Sequence, residues 1–232
     1  MKKVAVFIAS GSGMGADAAK LISKNGYNVA VLSSSGKAEV LGKKINGFGF
    51  TGSNLNINDL KKFIELVIKK YKRIDVLVNS AGHGPKGDIL KLSDEDWYLG
   101  METYFLNVVR ATRLVTPIMK RQKSGSIINI STYAVFEPEK DFPTSGVFRA
   151  SLASYTKIYS DSFAKFNIRM NNILPGFINS LKPKRKFIKR IPLKRVGKVE
   201  EISSMVEFLA SKKGSYITGQ NIRIDGGISR SV

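Results

Sequence analysis

The chain has 232 residues, a length that suits one domain with a substantial buried core. Hydrophobic residues make up 43% and charged residues 24%, which is typical of a globular protein, and no run is long enough to span a bilayer. Cysteine is absent, which excludes disulfides, thiolate nucleophiles and cysteine-ligated metals and fits a cytoplasmic location. The net charge of +20 could attract nucleic acid or anionic membranes, but no nucleic-acid motif accompanies it, so we expect neither partner.

Apolar runs alternate with helical patterns along the whole chain. In chain order we predict a strand at Val4–Ala9, a helix at Ala16–Lys24, a strand at Asn28–Leu32, a helix at Asp59–Tyr71, a strand at Ile74–Val78, a helix at Tyr104–Gln122, a strand at Ile127–Ile130, a helix at Ala150–Phe166 and a strand at Arg169–Leu174. This order predicts one α/β domain over residues 1–232, a Rossmann fold whose parallel, doubly wound sheet has helices on both faces.

Ligands of such sheets bind beyond the carboxyl ends of the strands. The loops expected there are Ser10–Gly15, Ser33–Lys37, Asn79–Gly84, Ser131–Ser145 and Pro175–Lys198. These five loops are therefore where we expect the functional residues.

The loop after the first strand is rich in glycine and reads Ser10-Gly11-Ser12-Gly13-Met14-Gly15. Glycines there permit a tight turn and let backbone N–H groups approach a pyrophosphate at a helix N-terminus, although such a turn can also serve packing alone. At the end of the second strand, Ser33-Ser34-Ser35-Gly36-Lys37 stands where an acid would favour NAD. Hydroxyls and a lysine suit a 2′-phosphate, so we expect NADP, with NAD as the alternative.

Four ordered segments resemble the short-chain dehydrogenase/reductase family, in particular its 3-oxoacyl carrier-protein reductase branch. They are the glycine turn, Asp75–Gly82, Ile168–Ile178 and Phe208–Gly227. Ser53 stands where the family usually has an aspartate beside adenine. The resemblance implies that the dinucleotide is bound by Ala9, Gly11, Ser12, Gly13, Met14, Gly15, Ser33, Ser34, Ser53, Asn79, Ala81, Gly82, Arg149, Pro175, Gly176 and Ile178.

The same resemblance implies a catalytic set that departs from the family. Asn107 matches the asparagine of the proton relay, and Thr132 matches the serine that polarises the substrate. Ser145 and Arg149 stand where the family has Tyr-x-x-x-Lys. Arginine can hold ribose hydroxyls but stays charged, and serine is a far weaker acid than phenol.

Other interpretations of the proton-transfer site remain open. A second alignment of the helix places Phe148 and Leu152 at the Tyr and Lys positions. Tyr133 follows Thr132, and His83 is the sole histidine and would titrate near neutral pH, so each is a candidate proton donor.

The predicted function is NAD(P)-dependent transfer of a hydride between alcohol and carbonyl, with an atypical active site and no metal. The alternatives are a non-redox lyase or isomerase on the same scaffold and a catalytically silent dinucleotide-binding protein. Resembling enzymes are homotetramers or homodimers paired through the helices that correspond to Tyr104–Gln122 and Ala150–Phe166.

A basic stretch without an acid stands where resembling enzymes have a mobile lid. Its nine cations are Lys182, Lys184, Arg185, Lys186, Lys189, Arg190, Lys194, Arg195 and Lys198. They suit a small-molecule substrate that is anionic or carrier-linked, and a solvated loop is the equal alternative.

Overall fold

The computed structural model describes residues 1–181 and 185–231, and they form a seven-stranded parallel sheet in the order β3-β2-β1-β4-β5-β6-β7. The strands are β1 Val4–Ile8, β2 Asn28–Ser33, β3 Phe48–Thr51, β4 Val76–Asn79, β5 Gly125–Ile130, β6 Ile168–Pro175 and β7 Asn221–Ile224. The helices are α1 Gly13–Lys24, α2 Lys37–Lys44, α3 Ile57–Tyr71, α4 Asp94–Met101, α5 Asn107–Gln122, α6 Pro143–Phe163, α7 Arg185–Arg190 and α8 Val199–Ala210. The predicted doubly wound α/β fold is confirmed.

Alternate residues of each central strand pack on opposite faces of the sheet. In β1, Phe7 lies in a cluster with residues of α1 and α8, whereas Ile8 lies in a second cluster with residues of α3 and α5. Every residue of β1 is buried, as expected for a parallel strand covered on both faces. The helices thus shield the sheet and leave the carboxyl ends of its strands as the accessible edge.

Two helices begin earlier than the sequence pattern predicts. The first turn of α1 includes Gly13–Gly15, which we expected in a loop. Helix α6 begins at Pro143 instead of Ala150 because proline is well suited to the first position of a helix. Ser145 and Arg149 therefore lie one turn apart on α6, and the expected loop ending at Ser145 is shorter than predicted.

The predicted helix Tyr104–Gln122 is composite. Helix α4 runs into a π-helical turn at Glu102–Leu106, and α5 then continues to Gln122. Such turns insert an extra residue into a helix and occur frequently at functional sites. Tyr104 lies in this turn rather than in regular α-helix.

Four asparagines pair side by side across β4, β5, β6 and β7, and we call them the asparagine ladder: Asn79, Asn129, Asn172 and Asn221. Three Nδ2–H···Oδ1 bonds join them in series, over 2.8 Å from Asn79 to Asn129, 2.9 Å from Asn129 to Asn172 and 2.8 Å from Asn172 to Asn221. Thr156 of α6 adds a hydroxyl bond of 3.0 Å to Asn172. The ladder fixes the strand ends from which the site loops leave.

In the part of the chain that the structure describes, no helix combines the length and the apolar character needed to cross a bilayer.

Candidate active site

The N-terminus of α1 lies where β1 ends, in the crevice that the loops after the strands border, and Ser12 and Gly13 are exposed there. Ser12 precedes the helix in an extended conformation and makes no capping bond with its side chain, and the first turn contains no acid. By contrast, the side chain of Asn56 caps α3 and that of Ser93 caps α4. Free N–H groups and the positive end of a helix fit a pyrophosphate.

Backbone conformation explains the small residues of this turn. Ala9 and Gly13 have φ angles of 53° and 62°, a region that side chains disfavour. A Cβ added to Gly11 would lie 2.6 Å from Ser33 Oγ, so the turn packs directly against the end of β2. The residues present therefore fit a dinucleotide whose diphosphate lies close to the backbone.

The loop after β2 offers an exposed hydroxyl and an exposed cation. Ser33 is buried, and its hydroxyl donates to the Ser35 carbonyl over 2.7 Å, so it shapes the loop. Ser34 and Lys37 are exposed. Glu39, the acid in the first turn of α2, accepts a hydrogen bond from Thr51 instead. The loop therefore fits the 2′-phosphate of NADP.

The loops after β3 and β4 form the next part of the rim. Ser53 donates its N–H to Asp59 over 2.8 Å and accepts from the N–H of Leu55 over 3.2 Å. Asn79 is buried in the asparagine ladder, whereas Gly82 is exposed and a Cβ added to it would meet nothing within 4 Å. Ala81, between them, is half-buried. Asn79 thus anchors this loop, and Ala81 and Gly82 leave room for a ligand.

The segment after β6 leaves the sheet and returns to it. Beyond Pro175, Gly176 lies so close to β7 that a Cβ would sit 2.8 Å from the Cα of Asp225. Ile178 pairs with Gly197 in an isolated bridge that closes the base of the excursion. We call residues 179–196 the lid. They include α7, while Lys182 and Lys184 lie outside the described residues.

Aromatic contacts and ion pairs attach the lid to the loop before α6. Phe187 of α7 stacks on Phe177 with ring centroids 4.6 Å apart, and Phe177 contacts Tyr133 at 5.6 Å. Arg190 pairs with Glu139 over 2.5 Å. Near the other end of the lid, Ser180 Cβ lies 3.6 Å from the place of a Cβ on Gly13, so the lid borders the glycine turn.

Arg149 is a half-buried cation without a carboxylate partner among the described residues. Its Nη1 donates to the Ser131 carbonyl over 2.7 Å, and its guanidinium carbon lies 4.6 Å from the centre of the Tyr104 ring. Burial lowers the pKa of Arg149 to about 10, so it remains charged at neutral pH. Among the described residues the guanidinium donates only to Ser131, so most of its N–H donors are available to a ligand.

Thr132 and Ser145 are the two hydroxyl residues of the predicted catalytic set. Thr132 begins a short 3-10 turn, and its Oγ1 accepts from the N–H of Ala134 over 3.3 Å, which leaves its own proton free to be donated. Ser145 lies one helical turn before Arg149. The structure thus brings Thr132, the carbonyl of Ser131 and Arg149 together where β5 ends.

Asn107, by contrast, is occupied with backbone groups. It is 1% exposed, its Nδ2 donates to the Ser80 carbonyl over 3.2 Å, and its Oδ1 accepts from the N–H of Val108 over 2.6 Å. Tyr104, one turn earlier, contacts Arg149, and no motif in the sequence marks it as a functional residue. Its hydroxyl oxygen accepts a hydrogen bond from the N–H of Gly84 over 2.5 Å.

Known proteins resemble this chain over most or all of its length. A family model described as enoyl-(acyl carrier protein) reductase matches residues 8–229. The 3-oxoacyl-[acyl-carrier-protein] reductase FabG of Staphylococcus epidermidis is 32% identical over 98% of this chain and 99% of its own length. FabG of Thermotoga maritima is 36% identical over 75% of each chain.

Two solved structures are similar over the whole chain, both at 26% identity. YwfH, an NADPH-dependent reductase involved in bacilysin biosynthesis, superposes with a TM-score of 0.94 and full coverage of both chains. The L-sorbose reductase of Gluconobacter frateurii, solved with NADPH and L-sorbose, has a TM-score of 0.91 and covers 100% of this chain and 98% of its own. The chain belongs to the short-chain dehydrogenase/reductase family. It is accordingly an oxidoreductase of the nicotinamide-dependent kind.

Two proton donors considered from the sequence are poorly suited in this short-chain dehydrogenase/reductase. The Tyr133 hydroxyl donates to Glu139 over 2.9 Å, and burial and this carboxylate raise the pKa of Tyr133 well above its usual range. His83 lies at the rim with part of its imidazole in contact with the protein; the desolvation of that part, followed by the charges of Lys86 and Arg149, lowers its pKa. Tyr133 therefore resists ionisation, and His83 carries little proton to give at neutral pH.

Proposed function

We propose that the protein is an NADPH-dependent carbonyl reductase of the short-chain family with an atypical proton-transfer group. The observation that carries the proposal is the crevice at the open N-terminus of α1, bordered by Ser34 and Lys37. Both similar structures are of NADPH-dependent or NADPH-bound reductases, which supports NADPH over NADH. NADH is the alternative cofactor.

Three polar residues of the site have proposed roles in this reaction. The cofactor, when bound, supplies a hydride. Arg149 holds the hydroxyls of the nicotinamide ribose with its free N–H donors, and Thr132 donates a hydrogen bond to the substrate oxygen. The bonds of Asn107 support a role in fixing the loop after β4 rather than in holding a relay water.

The cations of the lid support an anionic or carrier-linked substrate. Arg185, Lys189 and Lys194 are exposed. Lys186 and Arg190 instead form ion pairs with Asp141 and Glu139, so only some of the cations in the described lid are unpaired. The 3-oxoacyl carrier-protein reductases among the relatives fit this charge, and 3-oxoacyl thioesters are the first substrates to test.

Dinucleotide binding gives the sharpest test of the cofactor proposal. NADPH is expected to bind more tightly than NADH in a fluorescence titration. Lys37→Ala should weaken NADPH binding about tenfold, the effect of losing one charge-assisted bond, and leave NADH unchanged. Lys43→Ala, in the last turn of the same helix, is the matched control. Tighter binding of NADH would overturn the cofactor choice.

Turnover is tested by NADPH absorbance with a panel of ketones and 3-oxoacyl thioesters. Oxidation of NADPH with formation of the alcohol is expected. Dinucleotide binding without turnover across the panel would favour a catalytically silent protein, and product formation without net change of the cofactor would favour a lyase or isomerase.

The proposed enzyme acts in the cytoplasm as a homodimer or homotetramer formed through α5 and α6. Val147 and Ile158 lie on one face of α6 and are 49% and 63% exposed. Two exposed apolar side chains on one helix face, with the small residues Ser151 and Ser154 between them, suit contact with a second copy. Analytical ultracentrifugation should show an oligomer that Ile158→Lys weakens, and a monomer at micromolar concentration would contradict this assembly.

A further inference from the structure

The π-helical turn before α5 places a phenol next to the cation of the site. Tyr104 lies in this turn and is 4% exposed. Arg110 of α5 binds Glu102 of the same turn with both its terminal nitrogens, which anchors the turn to the following helix. A Cβ on Gly84 would lie 2.7 Å from the Tyr104 ring, so only glycine lets the phenol reach this backbone N–H.

The hydroxyl proton of Tyr104 is uncommitted. The oxygen accepts from Gly84, and within the described chain the hydroxyl donates to no acceptor. The other two buried phenols differ, because Tyr133 donates to Glu139 and Tyr159 shares a bond with Thr116. The partly buried Tyr27 likewise donates, to the Ala210 carbonyl. Tyr104 is thus a phenol beside Arg149 with a proton left to give.

The charge of Arg149 is complementary to an ionised Tyr104. The guanidinium carbon lies 4.6 Å from the ring centre, and no carboxylate of the described chain pairs with this cation. A cation against the ring attracts the negative charge that forms as the proton leaves, and the hydrogen bond from Gly84 strengthens as this charge gathers on the oxygen. Tyr104 and Arg149 supply, from two helices, the phenol and cation that Tyr-x-x-x-Lys supplies from one.

Resting on the proposed carbonyl reduction, we propose that Tyr104 donates the proton and that Arg149 stabilises the phenolate left behind. The carbonyl carbon accepts the hydride from the reduced nicotinamide, the π electrons of the C=O bond move to oxygen, and the Tyr104 proton passes to that oxygen. The phenolate then recovers a proton from solvent. Ser145, one helical turn before Arg149, is much shorter than the tyrosine that the family has at this position.

Tyr104→Phe tests the proposal because it keeps the ring and its contact with Arg149. We expect kcat to fall about 100-fold or more, the usual contribution of a general acid, with KM and the Kd for NADPH unchanged. The alkaline decrease of kcat, which reports loss of the donor proton, should disappear in the variant. Tyr155→Phe, a half-buried tyrosine on α6, is the control and should keep the unaltered kcat.

A measurement without turnover tests the pairing with Arg149. In protein labelled with ¹³C at tyrosine Cζ, the resonance that Tyr104→Phe removes should shift in Arg149→Met, while the resonance that Tyr155→Phe removes should not. An unaltered kcat in Tyr104→Phe, an equal loss of NADPH binding in that variant, or a Tyr104 resonance indifferent to Arg149→Met would each overturn the proton-donor role. Failure of the unaltered chain to bind any dinucleotide would instead refute the proposed function.

Discussion

Removing one member of the asparagine ladder should destabilise the protein through unpaired polar groups. In Asn129→Ala, the buried Nδ2 of Asn79 loses its acceptor, while Asn172 keeps the hydroxyl of Thr156. An orphaned buried donor costs about 1–3 kcal/mol, and the lost packing of the amide raises the total to about 2–4 kcal/mol. For a chain of this size the melting temperature should fall by about 4–16 °C.

Asn221→Ala is the matched control for this prediction. Asn221 begins the edge strand β7 and is half-buried, so water can replace its bond to Asn172, and the cost should stay below about 1 kcal/mol. Urea unfolding followed by circular dichroism gives both free energies, at one protomer concentration because assembly also stabilises the fold. If the free energy of unfolding of Asn129→Ala lies within about 0.5 kcal/mol of that of the unaltered chain, or equals that of Asn221→Ala, this view of the ladder is refuted.

Further predictions concern Gly13, His83 and Glu139 at the site. Gly13→Ala places a side chain at φ 62°, a strain of about 1 kcal/mol that the turn can relieve by moving when no cofactor is bound. Binding must then restore the strained turn, so the Kd for NADPH should rise about fivefold or more. An unchanged Kd would show that the turn does not approach the cofactor. The single imidazole signal in an NMR titration should give His83 a pKa below 6.5 that rises in Arg149→Met, and indifference to that substitution would contradict their proximity. Because the folded-state pKa is lowered, His83 should also reduce stability as pH falls through 6.5, and His83→Asn should remove that part of the dependence. Glu139→Gln breaks the ion pair with Arg190 and should speed tryptic cleavage in the lid, and an unchanged rate would exclude this pair as a tether.

The fold was largely predictable from the sequence because buried parallel strands are continuous apolar runs. The missed elements carry weaker signals. Strand β3 has only four residues, one of them Gly49, and Phe48 and Phe50 reveal their role only by stacking on Phe63 of α3. Helix α4 was detectable in principle, since Ser93 and Asp96 form a capping box.

The cofactor side of the site was easier to predict than the catalytic side. A glycine turn depends on the backbone of a few consecutive residues, so a short sequence motif is enough to predict it. The contact of Tyr104 with Arg149 joins two helices that are distant in sequence, and the π turn that directs Tyr104 inward has no clear sequence signal. The asparagine ladder could have been suspected by aligning the predicted strands, since Asn79 and Asn129 hold equivalent positions.

Deuterium transfer tests the proposed reaction most directly. With NADPH deuterated at both positions of nicotinamide C4 and a 3-oxoacyl thioester or another accepted ketone, the product alcohol should carry one deuterium on the carbon that bears the hydroxyl. Mass spectrometry measures this label. An alcohol product without deuterium, or turnover that leaves NADPH unchanged, would contradict hydride transfer in this crevice.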